Sequence, residues 1–128
     1  MTRSHAIWGH LLFWPALALW TWKLVEPNPV PEAVGNILDA PMKFLVAKSL
    51  HFSGYAFLTF VLAIWVPPRR RPLLLAFTLM LFHGVLSEVI QTQVQGRVGS
   101  PIDVMIDWVG STTGMLVGWH FWRKLWVL

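Results

Sequence analysis

Residues 87–118 read SEVIQTQVQGRVGSPIDVMIDWVGSTTGMLVG, and two opposed signals meet in them. Both flanks are apolar enough for a membrane, yet the stretch carries Glu88, Arg97, Asp103 and Asp107. The charges sit at the end of one hydrophobic segment, in a short Gly-containing loop, and at the start of the next. An ionised side chain at the centre of a membrane helix costs about 2.5–3.5 kcal/mol on insertion scales. Such groups are kept where they are paired, hydrated or used. The rest of the chain reads as a frame that brings partners to this hairpin.

The composition sets the class. Of 128 residues, 55% are hydrophobic and only 12% charged, and the mean hydropathy is +0.56. This is the composition of a membrane protein. Four apolar segments fill most of the length, which predicts an all-α bundle of four transmembrane helices, a single domain over 1–128. The absence of cysteine excludes a disulfide scaffold, a thiolate metal site and a cysteine nucleophile. A formal charge of +4 points to anionic lipid head groups and topology, not to nucleic acid. Nine tryptophans suit a membrane–water interface. The first apolar segment shows no small-residue cleavage site and reads as a span, not a cleaved leader.

Outward from the hairpin, the four spans are expected at 7–25, 45–66, 73–91 and 102–122. Pro15 is expected to kink the first. The prolines of 26–31 read as an extended linker, and Ala33–Phe44 as a short helix at the interface or a plain connection. In the second span Lys48, His51, Tyr55 and Thr59 are spaced three, four and four, so they share one helical face. For Tyr55 and Thr59 the simplest role is hydrogen bonding between helices. In the third span Gly84, Glu88 and Gln91 share a face, with Ser87 beside them. In the fourth, Asp103, Asp107, Gly110, Gly114 and Gly118 form a stripe whose glycines let a neighbouring helix approach closely.

Four spans put both termini on one side. Arg3, Arg69, Arg70, Arg71, Arg123 and Lys124 fall there with no acid, while the opposite side holds Lys23, Lys43, Lys48, Arg97 and all six acids. The positive-inside rule then predicts cytoplasmic termini. It also places Lys48, His51, Glu88, Gln91, Arg97, Asp103 and Asp107 at one depth, toward the extracytoplasmic side. We expect one cluster there, with Glu88, Asp103 and Asp107 set against Lys48 and Arg97 and with His51 able to balance charge by protonating. It is either an ion network that locks the helices or a ligand site. Lys48 and Arg97 suit a phosphate or carboxylate. His51 with the carboxylates suits either acid–base work, for which His51 and Glu88 are the candidates, or a divalent cation, the weaker reading. No HxxxH pair or other linear spacing suggests a metal, so neither metal nor cofactor is expected.

At these residues the chain resembles the VanZ-like family of small bacterial membrane proteins. The resemblance rests on KSLHFSGYAFLTF, then SEVIQ, then GRVGSPIDVMIDWVGSTTG, and covers residues 45–118. Lys48, His51, Tyr55, Glu88, Gln91, Arg97, Asp103, Gly110 and Gly114 fall on the family pattern. Ala47 departs from it, where an acid is common, as does Asp107, where Asn is common. The resemblance implies a multi-pass protein of the bacterial inner membrane acting near cell-envelope lipids or glycopeptides, the namesake being associated with low-level teicoplanin resistance. It implies no reaction. The leading expectation is a non-catalytic binding or accessory protein for an amphiphilic envelope ligand, either a lipid-linked precursor or a lipoglycopeptide. The alternatives are a hydrolase or transferase acting on a lipid-linked substrate and a small proton-coupled transporter, for which four spans are few unless the protein forms a homo-oligomer.

Overall fold

The computed structural model describes residues 3–27, 32–65 and 70–126, with backbone alone at 3–6, 32, 34, 70–72 and 122–126. Its described residues form helices and no strand. α1 is Arg3–Val25, α2 the single turn Glu32–Gly35, α3 Ala40–Trp65, α4 Arg70–Gln91 and α5 Pro101–Trp126. Pro29, Pro31, Pro67, Pro68 and Arg69 lie outside the described residues, as do the side chains of Arg3, Arg70, Arg71, Arg123 and Lys124, on which the topology expectation rests.

The helix starts follow local chemistry. Asp39 caps α3, since its Oδ1 accepts the Met42 N–H at 2.9 Å, the contact an N-cap carboxylate makes with the third residue of a helix. The cap moves the start of α3 to Ala40, so residues 40–44 belong to this long helix and the expected separate interfacial helix shrinks to α2. Pro101 opens α5 at the first helical position, where its missing N–H costs nothing, and the Ser100 carbonyl accepts the N–H groups of Asp103 and Val104. α1 runs unbroken through Pro15. Between α4 and α5 the chain descends through successive turns, and Gly96 takes φ = 81°, a left-handed conformation that glycine adopts without steric cost.

α3 is the central helix, packed against α5 most closely and also against α1 and α4. The α3–α5 seam is built on glycine. A Cβ at Gly110 would meet the Phe52 carbonyl oxygen at 2.4 Å, one at Gly114 the Ala56 carbonyl oxygen at 2.1 Å, and one at Gly118 the Ala63 Cβ at 2.6 Å. The apolar core, Phe13, Leu24, Tyr55, Leu58, Val61, Leu62, Ala76 and Met80, joins α1, α3 and α4.

The distribution of polarity is inverted relative to a water-soluble bundle. His51, Thr59, Ser87, Glu88, Gln91, Asp103, Asp107 and Ser111 are buried, whereas Leu75, Phe82, Val89, Met105, Val109 and Leu116 face outward. Water does not favour an arrangement with polar groups inside and large apolar side chains outside, but hydrocarbon does. Two helices, Ala40–Trp65 and the 73–91 portion of α4, are long and apolar enough to cross a membrane.

Candidate functional site

The C-terminal end of α1, the first half of α3, the last turn of α4 and the first turns of α5 meet at one end of the bundle. Helical spacing turns Lys48, His51 and Tyr55 of α3 inward together. The last turn of α4 contributes Glu88 and Gln91, and α5 contributes Asp103 and Asp107. Arg97 reaches in from the loop.

The side chains form two neighbouring sets of polar contacts. The Lys48 ammonium is ion-paired with Asp103 Oδ1. His51 donates from Nδ1 to Asp107 Oδ1 at 2.9 Å, and the same nitrogen lies 3.9 Å from Glu88 Oε1. Glu88 is held on both oxygens: Gln91 Nε2 donates to Oε1 at 3.0 Å and the Ser100 N–H to Oε2 at 2.8 Å. The second of these bonds ties the end of α4 to the start of α5. Asp107 is fully buried, and its Oδ2 has no hydrogen-bond partner among the described residues.

Arg97 does not take the partner expected for it. Its Nη2 donates to Gln91 Oε1 at 2.8 Å and to the Leu24 carbonyl at 3.0 Å, and no carboxylate pairs with it among the described residues. The loop turns bring the guanidinium onto the end of α1, while Gln91 and Ser100 occupy the Glu88 oxygens. The result is a cation neutralised by no acid among the described residues.

A second polar chain runs deeper between α1, α3 and α4. His83 lies between Thr21 Oγ1 and the Tyr55 hydroxyl, each at 2.8 Å, and Tyr55 also contacts Ser87 Oγ at 3.1 Å. Thr21 gives its proton to the Leu17 carbonyl and Ser87 gives its own to that of Gly84. A neutral His83 therefore donates from Nε2 to Thr21 and accepts from Tyr55 at Nδ1. Tyr55 thus makes hydrogen bonds between helices, whereas Thr59, buried on the same face, has no partner for its hydroxyl among the described residues. Thr21, His83 and Ser100 are functional positions not expected from the sequence. His83, Ser87 and Gln91 are spaced four and four, a stripe that would have flagged the first of these on α4. Thr21 and Ser100 carry no such signal.

A cavity of about 440 Å³ opens beside the upper cluster. Trp20, Leu24, Leu50 and Val98 form apolar walls, and Lys23, Arg97, His51, Gln91 and Asp103 supply the polar lining. Lys23 is engaged by Glu26 at 2.5 Å. Two buried donors on cavity-lining residues, Trp20 Nε1 and Arg97 Nε, have no acceptor among the described residues. A buried unsatisfied donor costs about 1–3 kcal/mol. No family model, curated protein or solved structure matches the chain.

Proposed function

We propose that the chain is a VanZ-like integral membrane protein that binds the anionic head group of an amphiphile entering from the outer leaflet. Four spans cross the bacterial inner membrane with both termini in the cytoplasm. The ligand class is a lipid-linked envelope precursor or a lipoglycopeptide, and the role is non-catalytic. The observation that carries this reading is Arg97: a cation without an acid, on a cavity with apolar walls and a second unsatisfied donor on Trp20. A guanidinium in that state is suited to a phosphate or carboxylate, and the apolar walls suit the first part of a lipid tail.

The His51–Asp107 hydrogen bond favours a second reading. A carboxylate that orients an imidazole prepares it as a general base, which fits a hydrolase or transferase acting on the same class of ligand.

The test uses purified protein in detergent, with a short-chain polyprenyl phosphate and teicoplanin as probes and tryptophan fluorescence as readout. Wild-type protein binds at least one probe, and Arg97→Gln folds and loses that binding. If wild type binds neither probe, or Arg97→Gln binds as wild type does, the proposal is wrong. Conversion of a bound probe, detected by mass spectrometry, would move the assignment to the enzyme reading.

A further inference from the structure

The three carboxylates of the upper cluster have too few cations. Glu88, Asp103 and Asp107 converge on His51; with that ring neutral, Lys48 on Asp103 is the one cation paired with them among the described residues, and Arg97 is turned toward Gln91 and Leu24. Glu88, Asp103 and Asp107 are each at most 7% exposed, so bulk water does little to screen the excess negative charge. A ring nitrogen of His51 and one carboxylate oxygen each from Glu88 and Asp103 lie within 4.8 Å of one another.

We infer that His51, Glu88 and Asp103 form a binding site for a divalent cation beside the cavity, which His51 and Asp103 line. At bonds of about 2.1–2.2 Å three ligand atoms spread evenly around one ion stand about 3.8 Å apart, so ligands that lie within 4.8 Å of one another close on an ion with shifts of at most about 1 Å. One nitrogen and two carboxylate oxygens make a set suited to Mn²⁺ or Zn²⁺, and the lack of sulfur ligands disfavours softer ions.

A separate observation points to a ligand. The His51 side chain is 9% exposed and lines the cavity. Its Nδ1 donates to Asp107, so in the neutral ring the lone pair sits on Nε2, which makes no hydrogen bond among the described residues. A histidine whose other nitrogen donates to a carboxylate is the usual arrangement of a metal-bound imidazole. The remaining ligands are oriented too, Glu88 by Gln91 and the Ser100 N–H and Asp103 by Lys48, which engages Oδ1 and leaves Oδ2 for the ion. Linear spacing could not reveal this set, because its members come from α3, α4 and α5.

The site rests on its own ligands and not on the amphiphile. If the amphiphile reading also holds, the ion adds a second positive centre beside Arg97 and tightens the hold on an anionic head group.

Mn²⁺ binding is measured on the purified full chain in detergent after treatment with EDTA, by titration calorimetry and electron paramagnetic resonance, with Zn²⁺ in competition. Wild type is expected to bind one Mn²⁺ that Zn²⁺ displaces, with electron spin-echo modulation from one imidazole nitrogen. The modulation disappears in His51→Gln, binding is lost in Glu88→Gln and Asp103→Asn, and Asp107→Asn, which removes only the orienting carboxylate, weakens binding by about 10–100-fold. Because the chain has five histidines, the signal is assigned to His51 by its persistence in His120→Gln, and absence of a wild-type imidazole signal overturns the site even if a variant fails to fold. Absence of stoichiometric binding of either ion to wild type, bound Mn²⁺ without a nitrogen signal, or binding that survives in folded Glu88→Gln overturns the site. Probe binding repeated in EDTA separates the two proposals: probe retained without metal binding leaves the amphiphile reading intact, and metal bound without any probe leaves the cation site intact.

Discussion

Replacing Gly114 by alanine adds one methyl group at the tightest point of the α3–α5 seam. Its Cβ would stand 2.1 Å from the Ala56 carbonyl oxygen, 2.8 Å from the carbonyl carbon and 3.0 Å from the Cα. All three are backbone atoms in the middle of a helix, so no side chain can rotate away. Moving from 2.1 Å to the 3.4 Å at which ordinary contact begins requires the helices to part by about 1.3 Å at this level. A gap of 0.5–1 Å already forfeits about a quarter to a half of a contact's attraction, and the flanking approaches at Gly110 and Gly118 would open with it. Overpacking costs typically about 1–3 kcal/mol, and the rigid neighbours put Gly114→Ala at about 2–3 kcal/mol. For a chain of this size that corresponds to a fall in melting temperature of about 8–12 °C. Intrinsic tryptophan fluorescence during heating in a mild detergent measures it, with Met105→Ala on the outer face of α5 as the control. Gly114→Ala melting at or above the wild-type temperature would refute the reasoning and mean that α3 and α5 do not meet at this residue.

Three further outcomes are expected. Tyr55→Phe removes the hydroxyl that donates to His83 Nδ1 and leaves that nitrogen without a donor, so it lowers stability by about 1–3 kcal/mol; equal stability by the same thermal assay would mean that the chain through His83 is not formed. Thr59→Val replaces a buried hydroxyl that has no partner with a methyl group of similar size and raises stability by about 1 kcal/mol, whereas a loss would reveal an acceptor for that hydroxyl. Because the chain has no cysteine, single cysteines at Asn36 and Arg70 report topology in intact cells: an impermeant reagent should label the first and not the second, and labelling of both from outside would eliminate the four-span arrangement with cytoplasmic termini.

Much of the architecture is legible in residue order because it depends on local rules. Length and hydropathy mark the long helices, and Gln91 ends α4 where the apolar pattern ends. Asp39 shows why α3 was misjudged at its start: its capping role depends on a turn that propensity alone does not specify, and residues 40–44 read as linker until that cap is seen. Pro101 after Ser100 is a clear start signal, and α5 begins there.

The site divides along the same line. Spacing by itself put Lys48, His51 and Tyr55 on one face, and Asp103, Asp107 and the three glycines on another, because a helix of fixed pitch leaves no freedom in that matter. Sequence also determined that charged groups sit among apolar segments and therefore need partners. Which partner each one takes is decided by the crossing of four helices. That crossing gives Asp103 to Lys48 and Asp107 to His51, hands the Glu88 oxygens to Gln91 and the Ser100 N–H, and leaves Arg97 on the end of α1 without an acid. Pairing across helices depends on distances of a few ångströms between atoms tens of residues apart, and no local pattern encodes those distances. The same holds for the convergence of His51, Glu88 and Asp103, which appears only when α3, α4 and α5 are packed at the separation that Gly110 and Gly114 permit.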